Sequence, residues 1–186
     1  MVKIHYPTMV IVISILWVLT RIFCCRRAGF CSWKRELQLV LVYICIIVVV
    51  RFTFCPFGKI DGKIQPLLFD PGQFLPFRLN FLPFVYLFDY PDPREILLNI
   101  IGNTAMFIPL GIIWPSVFPQ LQPFGRAMAA GVGCSLLIEI LQLPFFDRVS
   151  DIDDLILNSL GFLMGYLLWR LITAIFKFAK RKIQGA

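Results

Sequence analysis

Histidine is almost missing from this chain: His5 is the only one in 186 residues. A zinc site therefore lacks its usual nitrogen ligands, and the polar cluster of the later spans has no histidine for a Ser-His or Cys-His arrangement. The six cysteines do not repair that lack, because no two are spaced as CxxC. Cys24, Cys25 and Cys31 lie in a basic loop; Cys45, Cys55 and Cys134 lie in or beside apolar runs. Free thiols are expected, with juxtamembrane acylation at Cys24 or Cys25 as the alternative. Charge is also scarce. Only 16% of residues are charged, against roughly 25% in a typical soluble domain. Tandem repeats and low-complexity linkers are absent.

What the chain has instead is apolar sequence, 59% of it, with a mean hydropathy of +0.80. A single core of this length does not need so much. A bilayer does, because the lipid-facing surface must be apolar too. The apolar residues come in runs of about 20, the length of a spanning helix. Five runs are expected to span: Pro7 to Phe23, Leu37 to Cys55, Glu95 to Phe118, Gly125 to Phe145, and Asp153 to about Phe176. The first has its charge behind it and no small-residue cleavage site, unlike a signal peptide. Pro109 and Pro115 predict a kink in the third. Arg51, near the end of the second, is placed to snorkel.

The net charge of +7 does not point to nucleic acid, because the basic residues flank apolar runs. Eleven of them fall on one side: Arg21, Arg26, Arg27, Lys34, Arg35, Arg126, Arg170, Lys177, Lys180, Arg181 and Lys182. Lys3, Lys59, Lys63, Arg78, Arg94 and Arg148 fall on the other. Of the acidic residues, Glu36 alone shares the basic side. The positive-inside rule then puts the N-terminus outside and the C-terminus in the cytoplasm. The segment from Pro56 to Arg94 holds Phe69, Phe74, Phe77, Phe81, Phe84 and Phe88 among Pro71, Pro76, Pro83, Pro91 and Pro93. Proline at that density forbids a long helix, and aromatics suit the headgroup level. An interfacial or re-entrant loop is expected.

Polar residues inside spans are costly and need a reason. Asn99 and Asn103 share a face of the third span, Glu139 and Gln142 of the fourth, and Asp154 and Asn158 of the fifth. The connection before the fifth carries Asp147, Arg148, Asp151 and Asp153. Counted from the outer ends, Asn103, Glu139 and Asn158 lie at depths of roughly 12, 9 and 8 Å. A shared polar level near the outer face is expected. Asn and Gln also serve as plain interhelical glue, and Gly161-xxx-Gly165 reads as a packing seam. Glu139 at that depth must be protonated or paired, with Arg148 the nearest candidate.

In order, the blocks are Asn80-Phe-Leu-Pro83-Phe84; Asn99-x-x-Gly102-Asn103-x-x-x-Phe107-x-Pro109-x-Gly111; and Glu139-x-x-Gln142. The last is Arg148-x-x-Asp151-x-Asp153-Asp154-x-x-x-Asn158-x-x-Gly161-x-x-x-Gly165-Tyr166. Together they resemble the VanZ-like family of bacterial membrane proteins over roughly residues 78 to 170. That resemblance implies a bacterial cell-membrane protein similar to an accessory product of glycopeptide-resistance clusters, one that lowers susceptibility to teicoplanin. The expected organisation is an N-terminal helical pair with an outer loop (1–77), a VanZ-like core (78–176) and a basic cytoplasmic tail (177–186), all-α throughout.

Two functions fit these residues. In the first, Asn80, Asn99, Asn103, Glu139, Gln142, Arg148, Asp151, Asp153, Asp154 and Asn158 bind the head of an amphiphile at the outer leaflet. Its tail lies beside Phe74 to Phe88. The expected partners are membrane lipids and a lipoglycopeptide antibiotic or lipid-linked cell-wall precursor. The alternative is an intramembrane enzyme acting on such a lipid, with Glu139 or Asp154 as general base and Arg148 stabilising an anion. Oxygen ligands from Asp151, Asp153, Asp154 and Glu139 would suit Mg²⁺ or Ca²⁺, but Arg148 supplies a counter-charge without one. No metal or cofactor is expected. Oligomeric state is not legible.

Overall fold

Among the described residues, runs of Ile, Leu, Val and Phe with few charges fold into five helices, each long and apolar enough to cross a membrane. They are α1 (Tyr6–Ala28), α2 (Trp33–Phe54), α3 (Pro93–Val117), α4 (Phe124–Gln142) and α5 (Ile152–Gln184). The protein is an all-α polytopic membrane protein. The computed structural model describes residues 1–29, 32–55, 59–60, 63–70, 72, 79–85, 93–146 and 148–184. Cys31, Asp147, Arg78 and the expected tail-binding residues Phe74, Phe77 and Phe88 lie outside them.

Chain punctuation sets the helix ends. Gly29 takes a left-handed φ of 73° after α1, a conformation that costs glycine little. α4 stops at Gln142, earlier than Phe145, because Pro144 disfavours helical geometry at Leu143. α3 runs unbroken through Pro109 and Pro115, as membrane helices allow when neighbours re-satisfy freed carbonyls. α5 does not stop near Phe176. The basic residues beyond it are good helix formers, with no Gly or Pro before Gly185, so the tail continues the helix through Gln184. Its 33 residues span about 50 Å, well beyond a hydrocarbon core of about 30 Å.

Among the described residues six short strands lie before and between the helices: β1 (Val2–Ile4), β2 (Lys59–Ile60), β3 (Lys63–Ile64), β4 (Leu67–Phe69), β5 (Leu79–Asn80) and β6 (Ser150–Asp151). β1 pairs antiparallel with β4, β2 with β3, and β5 runs parallel to β6 with Asn80 opposite Asp151. The Pro- and Phe-rich segment thus holds strand pairing that its composition does not announce.

The chain divides into two compact units. One comprises Met1–Pro83 and Leu136–Ile152, the other Phe84–Ser135 and Asp153–Ala186. In the first, Leu39, Val42, Cys45 and Val49 bury one face of α2. Ser14 and Tyr43 share a hydroxyl hydrogen bond of 2.6 Å, and Trp17 packs on Tyr43 with ring centroids 5.5 Å apart. Arg21 grips both oxygens of Glu36, at 2.5 and 2.9 Å. That contact accounts for the one carboxylate among the basic flanks. Arg51 donates to the Cys55 carbonyl at 3.2 Å, satisfying the C-terminal end of α2, and lies over the Tyr6 ring.

In the second unit α3 and α5 meet along a seam of small residues. A Cβ on Gly111 would fall 2.8 Å from the Tyr166 amide nitrogen, and one on Gly165 would fall 2.9 Å from the Ile108 carbonyl carbon. A Cβ on Gly161 would strike the backbone of Thr104, and one on Gly131 of α4 would enter the Phe162 ring. No side chain fits at these positions, so backbones approach as they do in small-xxx-small membrane seams. Phe107, Phe162 and Tyr166 fill the buried volume around it.

Candidate functional site

The polar residues of the first unit form a linked chain at the end of α4. Asn80, placed by β5, donates through Nδ2 to Asp151 Oδ1 at 3.0 Å and accepts the Leu82 amide at 3.1 Å. Its amide thus closes a local turn and fastens that turn to the loop before α5. The Asp151 amide in turn donates to Glu139 Oε2 at 3.0 Å. Glu139 is 4% exposed, so this donor partly replaces the water the carboxylate has lost. One turn along α4, Gln142 donates through Nε2 to the Thr53 carbonyl at 2.7 Å. Thr53 lies in the last turn of α2, where a carbonyl lacks an intrahelical donor. The Gln142 Oε1 is buried without a hydrogen-bond partner among the described residues.

Arg148 is half-buried on the turn between α4 and β6, and its amide donates to the Phe145 carbonyl at 3.2 Å. The same turn is pinned by Phe146 N–H to Leu68 O at 2.9 Å and Asp70 N–H to Pro144 O at 3.0 Å. Phe145 packs edge-on against Phe54 and Phe69.

The second unit carries its own cluster. Asn103 donates to Asn99 Oδ1 at 2.9 Å and to Asp154 Oδ1. One amide thus links two turns of α3 to the acidic start of α5. Asp153 is 2% exposed, and its Oδ1 accepts the Phe84 amide at 2.9 Å. Phe84 has a φ of 65°, a left-handed conformation that costs a bulky L-residue roughly 1–2 kcal/mol. The Asp153 acceptor helps hold the backbone there. Asp153 and Asp154 also occupy the first turn of α5, where the helix dipole favours negative charge.

Asn158 sits deeper, 1% exposed, and donates to Ser135 Oγ at 3.0 Å. Ser135 is fully buried and was not among the candidates from the sequence. The available signal was its position one turn before Glu139 on an apolar helix. Asn158 Oδ1 has no hydrogen-bond partner among the described residues.

Every candidate side chain is therefore placed: Asn80, Asp151, Glu139, Gln142 and Arg148 in one unit, Asn99, Asn103, Asp153, Asp154 and Asn158 in the other. Glu139 and Asp154 are carboxylates at helix ends, each anchored by a donor, and such groups can take a cationic or hydrogen-bonding headgroup, or a proton.

Five helices long and apolar enough to span a membrane, with acidic and amide groups near their ends, define a multi-pass membrane protein. The sequence profile of the VanZ/LLP1 family matches residues 40–173, well over half of the chain, and the chain belongs to that family. The match begins inside α2, earlier than the resemblance in the polar blocks, and leaves out α1. No curated protein and no solved structure matches.

Proposed function

We propose that this protein binds the polar head of an amphiphile at the outer leaflet and thereby lowers susceptibility to teicoplanin or a related lipoglycopeptide. The observation that carries the reading is Glu139, a carboxylate 4% exposed on an apolar helix. It keeps one oxygen on the Asp151 amide. The Asp151 bond alone does not require a carboxyl there, since Gln would fill the same volume and accept it. Membership of the VanZ/LLP1 family supports the resistance context. Charge placement supports an outside N-terminus and cytoplasmic C-terminus in a bacterial membrane.

The test is Glu139→Gln, which keeps volume and hydrogen bonding but removes the charge. Wild-type protein in a Gram-positive host should protect more against teicoplanin than against vancomycin, which lacks the acyl chain. The variant, at normal membrane abundance, should protect little. Wild type protecting against neither drug defeats the resistance reading. Equal protection by the variant removes the Glu139 charge from the mechanism. Orientation has a separate check. In a background without native cysteines, Lys3→Cys should react with an impermeant thiol reagent in intact cells, and Gln184→Cys only after lysis.

A further inference from the structure

We propose that the basic end of α5 holds the phosphate of an anionic phospholipid. In the second unit a cavity of about 420 Å³ opens between the start of α4 and the C-terminal half of α5. Its walls include Phe124, Tyr166, Trp169, Arg170, Thr173 and Lys177, and among the described residues no acidic one lines it. Tyr166, Arg170, Thr173 and Lys177 recur at helical spacing and share one face of α5. Among the described residues, neither Arg170 nor Lys177 forms an ion pair. Two cations facing a cavity without a carboxylate leave a site for an anion.

Depth identifies the anion. Arg170 lies 18 residues beyond Ile152, the first residue of α5. That is about 27 Å along the helix, close to the thickness of a hydrocarbon core of about 30 Å. The cavity thus sits at the membrane surface opposite the Asp153–Asp154 end, at the level of lipid phosphate. Tyr166 and Trp169, with ring centroids 5.5 Å apart, give it the aromatic wall of an interface.

The cavity is also held in shape. Tyr166 is 1% exposed, donates to the Gln122 carbonyl at 2.8 Å and packs edge-on against Phe124. That contact fixes the start of α4. The first helical bond there is Ala127 N–H to Pro123 O at 3.0 Å, so the amides before it, at the positive end of a 19-residue helix, have no intrahelical acceptor. Exposed Leu167, Leu168 and Leu171 on the same stretch of α5 offer an apolar surface for acyl chains. A zwitterionic lipid brings its own cation; an anionic one does not, and it matches Arg170 and Lys177 better.

The experiment is lipid retention. Full-length protein is reconstituted with equal phosphatidylglycerol and phosphatidylcholine, re-extracted in mild detergent at 150 mM salt, and its bound lipid read by native mass spectrometry. Wild type should keep phosphatidylglycerol over phosphatidylcholine. Arg170→Gln with Lys177→Gln should lower that retention about tenfold or more. Ala174→Phe, which fills the cavity from an exposed position and keeps every charge, should lower it similarly. Arg181→Gln with Lys182→Gln removes the same charge outside the cavity and should retain lipid as wild type does. Added inorganic phosphate should not displace the lipid. Four results would each overturn the proposal: no preference for phosphatidylglycerol; wild-type retention by Ala174→Phe; an equal loss in the Arg181/Lys182 variant, which marks diffuse attraction; or displacement by phosphate, which marks a free-anion site. The readout does not involve Glu139, so it can fail or succeed independently of the outer-leaflet reading.

Discussion

α1 and α5 are both apolar enough to span a membrane, and they pack in opposite ways. The most apolar window of α1 has a mean hydropathy of 2.2, that of α5 only 1.6. Yet α1 buries no residue, while α5 buries Asp153, Leu157, Asn158, Gly161, Phe162, Gly165 and Tyr166. The less apolar helix is the better packed one. Hydropathy reports preference for lipid over water, and lipid is as apolar as leucine, so it exerts no pull toward a neighbouring helix. Close packing needs small residues and polar partners. α5 has both; α1 offers Ser14, Arg21 and Cys25 as hydrogen-bonding contacts to α2. The family match follows the same division, covering α5 as far as residue 173 and omitting α1.

The comparison breaks most visibly at the seam. Gly161→Leu must push α5 away from the Thr104 backbone, at an expected cost of about 3 kcal/mol or more. Thermal melting and monodisperse yield in detergent should both collapse. Leu19→Ala on α1, where the side chain is 57% exposed, should leave both nearly unchanged. A comparable loss from Leu19→Ala would mean that α1 has a packing partner, such as a second copy of the chain.

The polar contacts of α5 come next. Asn103→Ala and Asp154→Ala each break the amide–carboxylate bond between α3 and α5. A double-mutant cycle in mixed-micelle unfolding should return a coupling of about 1–2 kcal/mol, the upper range for membrane hydrogen bonds. Zero coupling would assign Asp154 to solvent. Ser135→Ala removes the buried acceptor of the Asn158 amide and should cost about 1 kcal/mol. No measurable change would show that Asn158 finds another partner.

The five spans were legible because length and apolarity decide them. The seam was legible because Gly161 and Gly165 stand one turn apart. The strands were not: pairs such as Asn80 opposite Asp151 involve elements of two residues, too short for an alternation pattern. Nor were the specific partners. The candidate residues are the right chemical types, but composition cannot tell that Asn80 would take Asp151, that Asn103 would take Asp154, or that Gln142 would reach the Thr53 carbonyl. Those pairings depend on register and on turns. The left-handed Phe84 is the clearest case, since no residue preference predicts it and only its hydrogen bond to Asp153 accounts for it. Helix α5 continues beyond its apolar run because the Lys and Arg residues that follow are good helix formers.

The smallest effect should come from α1, at the contact that looks strongest on paper. Arg21 reaches both oxygens of Glu36, at 2.5 and 2.9 Å, in the geometry guanidinium favours. Both side chains are 24% exposed, and both lie near helix ends where water and headgroups compete for them. Screening removes most of the attraction, and holding two long side chains in one geometry costs entropy. A double-mutant cycle with Arg21→Gln and Glu36→Gln should therefore give a coupling of about 0.5 kcal/mol. The coupling should shrink as salt is raised toward 1 M, where the Debye length falls to about 3 Å. Arg21→Gln also removes a positive flank, but four basic residues remain in that loop, so orientation should hold. A coupling above about 2 kcal/mol that resists salt would place the pair away from water. α1 would then be packed in a way its exposed surface does not suggest, and the contrast with α5 would be one of degree only.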